Sequence, residues 1–177
     1  MNSYPPELQE LIDREAIRDC ILRYTRGLDR EDETLLRSAF HADARDDHGN
    51  FIGPAQDFPT RKSRTNLRWS NYQHYVSNQT IEIDNDTAHT ETYFLAALKR
   101  PDDIMNLVGG RYIDRAERRG GTWAIADRVV IIEWSIDVPS SQAGGLAGAF
   151  ATGTHDKSDL SYRRPLRVTR EFRDLPA

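Results

Sequence analysis

The chain has 177 residues, enough to bury a sizeable core as one domain, and its mixed charges leave a small net acidity of −4. That balance argues against nucleic acid as a partner. The longest aliphatic run is Val129–Ile132, and Met1–Leu8 lacks the basic start and apolar stretch of a signal peptide, so no membrane association and a cytoplasmic location are expected.

From Pro6 to Asp29 the residues Leu8, Leu11, Ile12, Ile17, Cys20, Ile21, Tyr24 and Leu28 recur every three or four positions, which predicts an amphipathic helix. Pro5 and Pro6 suit its start, and Gly27 weakens its last turn. Cys20 is the only cysteine; it lies on the apolar stripe and is read as core packing, with no partner for an internal disulfide. Asp32 is placed to cap a short second helix over 33–40. A short strand over 42–48 then carries Asp43, Asp46, Asp47 and His48, closed by Gly49-Asn50 and a Gly53-Pro54 turn. Residues 55–71 have weaker helical character, limited by Pro59 and anchored by Trp69.

Beyond Tyr72 the chain turns to runs of Val, Ile, Thr and aromatics, which predict strands near 72–84, 87–100, 104–118 and 122–137, joined by turns at 84–86, 100–103 and 120–121. Helices first and a meander afterwards make this an α+β protein, with helices covering one face of a curved sheet. In the last strand the even positions Ala124, Ala126, Arg128, Val130, Ile132, Trp134 and Ile136 form an apolar face interrupted by one arginine. Arg128 cannot shed its charge, so it either pairs with Asp29 or an acid on the neighbouring strand, or serves a ligand. The opposite face, Trp123, Ile125, Asp127, Val129, Ile131 and Glu133, is half polar and suits contact with another subunit. Residues 139–150 are rich in Gly and Ala and read as a linker or a lid. The stretch 155–177 is read as a surface-hugging or partner-binding tail. The expected division is therefore a folded domain over 1–138, followed by a flexible segment and tail over 139–177 that serves as a lid or a subunit contact.

Five groups of residues occur in a distinctive order: Tyr24 and Asp29; Asp46-Asp47-His48-Gly49; His74-Tyr75; Gly109-Gly110-Arg111-Tyr112; and Gly121, Trp123, Ile125 and Arg128. With this order and spacing, residues 7–137 resemble the SnoaL-like branch of the nuclear transport factor 2-like superfamily. The resemblance implies a cone-shaped α+β barrel: a curved mixed or antiparallel sheet packed on N-terminal helices, with an open-ended pocket for a small-molecule substrate. The half-polar outer face of the last strand suggests a homo-oligomer, for which the resemblance favours a trimer over a dimer; no cofactor is expected, and Asp46, Asp47, His48 and His74 lack the local spacing of a metal site. Several members are lyases that share an Asp–His dyad, among them scytalone dehydratase, a hexachlorocyclohexane dehydrochlorinase and a bile acid dehydratase. By that likeness Asp29 and His74 match the dyad, Arg128 a pocket arginine and Tyr24 a pocket tyrosine, and these four are the candidate catalytic residues. His48, Tyr112, Trp134 and Trp69 are the candidate substrate-binding residues. Ala96 and Ala97 stand where the bile acid enzyme carries a further acid.

The chemistry follows from the residue types. Elimination beside an activating group needs a base that works near neutral pH, which histidine supplies. A carboxylate on its other ring nitrogen fixes the tautomer and stabilises the imidazolium that forms. His74 is thus expected to abstract a proton and Asp29 to orient it. Arg128 would stabilise charge on a leaving group or enolate-like oxygen, and Tyr24 would bond the same oxygen. Three function classes remain. The first is a cofactor-independent lyase that removes water, halide or a small carbonyl fragment such as formaldehyde from an apolar, aromatic or polycyclic molecule. The second is an isomerase of a similar substrate, and the third a non-catalytic binding protein.

Overall fold

Helix α1 spans Pro6–Asp29, with proline in its first turn where the missing N–H costs nothing. Its buried face is Asp13, Ile17, Cys20, Ile21, Tyr24, Thr25 and Leu28. Leu8, Leu11 and Ile12, which the three-four spacing put on that face, are exposed. At their level the inward position belongs to Asp13, which accepts Trp123 Nε1 at 2.8 Å and pairs with Arg118 at 2.9 Å. A buried carboxylate with two strong donors has displaced the apolar stripe. Burial pushes the Cys20 thiol up to about 11, as suits a packing residue.

The structure, a computed structural model, describes residues 4–59, 69–140 and 150–171. Most of the expected helical stretch after Ala55 and most of the Gly/Ala-rich segment lie outside the described residues, as does the end of the tail. Helix α2 (Glu33–Arg37) is capped by Asp32, whose side chain accepts the Leu35 amide. The strands are β1 (Phe40–Asp47), β2 (Ile52–Pro54), β3 (Asn71–Asp84), β4 (Thr87–Lys99), β5 (Ile104–Arg119) and β6 (Thr122–Pro139). They form one six-stranded sheet in the order β2-β1-β6-β5-β4-β3. The β1–β6 pairing is parallel and the others antiparallel, so the sheet is mixed. The N-terminal helices pack on its curved inner face, and Cys20, Ile21, Tyr24 and Leu28 meet Phe40, Phe94, Tyr112 and Ile125 in the main core. No helix among the described residues is long and apolar enough to cross a membrane.

Where β6 pairs β5, two consecutive β5 residues face β6 residues two apart at Ile125/Asp127 and again at Ile132/Trp134. Each bulge adds one residue and reverses which side chains face in. Between the bulges Arg128, Val130 and Ile132 share one face, paired with Asp114, Tyr112 and Gly110, and Ala124 and Ala126 before them are buried as well. Before the first bulge Trp123 and Ile125, expected on the outer face, are buried in the core. After the second, Trp134 and Ile136 turn outward and are about half exposed.

Gly27 has a packing reason beyond helix propensity. A β-carbon there would come within 2.6 Å of the Leu36 backbone nitrogen, so α2 closes on α1 only because position 27 has no side chain. Gly27→Ala is expected to cost about 1–3 kcal/mol, read as a lower urea midpoint at unchanged slope.

Candidate active site

Asp29 is the last residue of α1, where the negative end of the helix dipole disfavours a free carboxylate. Its charge is met by one residue. His74 lies on β3, an edge strand of the sheet, and its backbone amide donates to Asp29 Oδ2 at 3.0 Å. The His74 ring closes the contact, with Nδ1 at 2.6 Å from Asp29 Oδ1. A carboxylate only accepts, so Nδ1 carries the proton shared with Asp29, and Nε2 is the ring nitrogen left over from that contact. Two bonds to one residue fix the imidazole in orientation and in tautomer.

That ring lines a cavity of about 170 Å³ inside the cone. Phe94, Ala96, Leu98, Val108, Val130 and Ile132 form its apolar walls; His48, His74 and Tyr112 are its polar side chains. Tyr112 stacks on Phe94 with centroids 4.4 Å apart, and burial raises its phenol pKa well above the usual range. The small side chain of Ala96 lines the cavity, and Gly110, opposite Phe94, lets that ring lie close on the strand, since a β-carbon there would come within 2.9 Å of it.

Tyr24 and Arg128 are brought together behind the wall instead of on it. The Arg128 guanidinium lies 4.1 Å from the Tyr24 ring centroid and 4.4 Å from that of Tyr112. Its Nε and Nη2 each bond Asp114 at 2.7 Å in a two-pronged pair, and neither side chain is exposed to any extent that matters. Burial alone would lower the guanidinium pKa, but Asp114 holds it above its usual range. The alternative of an acid on the neighbouring strand is therefore the one realised, and Asp29 is not the partner. Neither Arg128 nor Tyr24 is among the residues that line the cavity. Burial likewise raises the Tyr24 phenol pKa.

Two other expected pocket residues stand elsewhere. Trp134 covers Gly109 on the outer face, where a β-carbon at 109 would come within 2.3 Å of the indole. Trp69 borders a separate polar depression with Arg100, Asn106, Ser135 and Asp137. His48 is on the cavity wall, beside Asp46, which sequence reasoning left without a role although Ala44, Asp46 and His48 share one strand parity.

The stretch after 150 grips the turn that carries Asp29. His155 Nδ1 donates to the Asp29 carbonyl at 2.8 Å, and its ring lies tilted against Tyr72 with centroids 4.5 Å apart. Arg30 bonds the Thr154 carbonyl at 2.6 Å and Asp159 at 3.0 Å, while Lys157 and Tyr162 both reach Asp32. No periodicity announces these contacts, because each is a side chain reaching across a turn. Hydrogen bonds from Ser161 and from the Thr154 amide, with the Arg30 charge, hold the Asp159 carboxyl pKa well below the usual range. A pKa depressed by folding contributes stability above the ordinary carboxylate value, and that stability is lost as pH falls toward the folded one. Below about pH 4 the Thr154 and Ser161 amides are therefore expected to lose hydrogen-exchange protection before the strands do.

A family model described as SnoaL-like domain matches residues 9–129. No functionally curated protein matches the chain significantly. Among solved structures, a type 2 hexachlorocyclohexane dehydrochlorinase superposes with a TM-score of 0.72 at 19% identity, covering 78% of this chain and 99% of that one. A type 3 dehydrochlorinase from Novosphingobium barchaimii gives 0.69 at 22% identity, covering 77% and 97%. A candidate scytalone dehydratase from Novosphingobium aromaticivorans gives 0.64 at 20% identity, covering 76% and 95%. At these identities the likeness establishes the fold.

Proposed function

The chain belongs to the SnoaL-like domain family, and from that premise we propose that it is a cofactor-independent lyase in which His74 removes a proton from carbon and Asp29 orients it. The observation that carries this reading is the doubly bonded Asp29–His74 pair on the wall of an otherwise apolar cavity. A base among apolar walls acts on a proton that water does not compete for. The neighbours named as a dehydrochlorinase and a scytalone dehydratase support elimination as the reaction type. The cavity, about 170 Å³, is close to the roughly 150 Å³ that encloses benzene in a protein core, so one ring is the part of the substrate it takes up. Tyr112 is the phenol placed to donate to an enolate-like oxygen. Arg128 and Tyr24 act from beneath by keeping Tyr112 in place. The test is incubation with 3-hydroxycyclohexanone in deuterium oxide. A lyase releases the absorbing conjugated enone; deuterium uptake without enone points to an isomerase, and neither to a binding protein.

The active unit is a homo-oligomer, with a trimer favoured, in this reading. Tyr75, Leu95, Gly109 and Trp134 are cross-strand neighbours in one outer row, and Tyr75 and Trp134 are half exposed there. A contiguous apolar row on a sheet face is the usual mark of a subunit contact. Trp134→Glu is expected to shift the sedimentation coefficient to that of a monomer; a parent protein that sediments as a monomer removes the assignment.

A further inference from the structure

Four consecutive residues at the end of α1 are each tied down by a side chain from elsewhere in the chain. His155 Nδ1 donates to the Asp29 carbonyl at 2.8 Å. Arg30 bonds the Thr154 carbonyl at 2.6 Å and Asp159 at 3.0 Å, Tyr72 donates its phenol proton to Glu31, and Asp32 accepts from Lys157 and Tyr162. Glu31 needs such support, because its φ of 49° is a left-handed conformation that a residue with a β-carbon keeps only when its surroundings hold it. The turn is built by the stretch after 150 as much as by the helix.

A helix end leaves its last carbonyls without intrahelical donors. Here the carbonyls of Arg26, Gly27 and Leu28 accept the amides of Arg30, Asp32 and Glu31, and the Asp29 carbonyl, the next one out, is taken by His155. It belongs to the residue whose carboxylate orients His74. Its direction sets the backbone of Asp29, and with it the line along which the carboxylate meets His74 Nδ1 at 2.6 Å. A second anchor runs through the strand of the base itself. Tyr72 precedes His74 by two residues on β3, so their side chains share the inner face, and the Tyr72 ring packs against that of His155 at an angle of 31°. Burial and the Glu31 carboxylate raise the Tyr72 phenol pKa well above the usual range, which keeps it a donor. Contacts thus close a ring from Asp29 to His74, along β3 to Tyr72, across to His155 and back to Asp29. Neither Tyr72 nor His155 is among the residues that line the cavity, so both are placed to act on the dyad and not on substrate.

We propose that His155, backed by Tyr72, is a positioning residue that holds Asp29 in register with His74, so that residues 154–162 complete the catalytic site from outside the cavity. The proposal rests on the lyase reading and gives it a residue beyond the 9–129 stretch that the family model matches. The physical reason is geometric. A general base must meet its proton along the lone pair, and a displacement of about 1 Å caused far from the chemistry costs on the order of 10² in rate. Helix ends fray, and Asp29 stands at one.

His155→Leu keeps an apolar group against Tyr72 and removes the donor, whereas His155→Asn keeps a donor near the position of Nδ1. In His155→Leu the kcat for enone release from 3-hydroxycyclohexanone is expected to fall by about 10- to 100-fold, with KM within about twofold of the parent because the cavity walls are unchanged. His155→Asn is expected to recover most of that loss. Proton NMR gives a readout that turnover does not enter. The His74 Nδ1–H, bonded to a carboxylate, gives a downfield line that is expected to broaden or move in His155→Leu and to return in His155→Asn. A folded His155→Leu protein with the parent's His74 line or the parent's kcat overturns the proposal, however early it melts, and so does an equal loss in His155→Asn. A parent that forms no enone removes the lyase reading, and the His74 line then decides the positioning role alone. Should His155→Leu fail to fold, Tyr72→Phe decides. It keeps the ring against His155 and removes the bond to Glu31, so an unchanged kcat and His74 line there overturn the proposal.

Discussion

His74→Ala is expected to lower turnover by about 10² to 10⁴ while the protein remains folded, as judged by circular dichroism beside steady-state rates. The loss is chemical because the ring supplies the only proton acceptor that this dyad presents to the cavity. The fold survives because the His74 amide still donates to Asp29 Oδ2, so the helix end and β3 stay joined when the ring is removed. Asp29→Asn is expected to be nearly as damaging for a different reason. An amide has one accepting atom, and Asp29 must accept both the His74 amide and Nδ1–H. One of those bonds is lost, and with it either the strand contact or the tautomer. A folded His74→Ala protein with parental turnover would sink the base assignment.

Arg128→Ala carries the largest expected effect on stability, about 3–5 kcal/mol, or about 10 °C in Tm for a domain of this size. The change leaves Asp114 charged, buried and unpaired, and opens a cavity between Tyr24 and Tyr112. Asp114→Leu combined with Arg128→Met is expected to recover part of that loss, because it removes the guanidinium together with the carboxylate bonded to it, while Asp46 stays buried beside the position. Thermal melts of the two single variants and the double variant close the cycle. A double variant no more stable than Arg128→Ala would show that the ion pair is not what the site depends on. The outcome also separates structure from chemistry: Arg128 was expected to touch a leaving group, and in the fold it is enclosed by Asp114 and two phenol rings.

Much of the architecture was legible because its signals are local. Proline at the start and three-four spacing marked α1, and β-branched runs broken by Asp84-Asn85-Asp86 and Gly120-Gly121 marked the long strands to within a few residues. Asp32 was readable as a cap because capping is a contact over three residues. The Asp29–His74 pairing was suggested by family resemblance, and the structure places those two side chains in contact 45 residues apart. The helix stripe failed at Leu8, Leu11 and Ile12, because periodicity says which residues share a face but not how far that face stays covered.

The sequence by itself determined the α+β class, the order of elements and the set of chemically capable residues, since each depends on neighbours in the chain. Which of those residues share a cavity was decided only in three dimensions. One extra residue in β3 between Val76 and Gln79 lets His74 and Ile81, of opposite parity, face the same interior. The bulge at Ile132/Trp134 turns Trp134 out, and parallel pairing with β1 sets Asp46 beside Arg128. A strand alternates with a period of two, so a single inserted residue reverses every side chain beyond it. That reversal depends on the partner strand's register, and no local pattern in either strand records it.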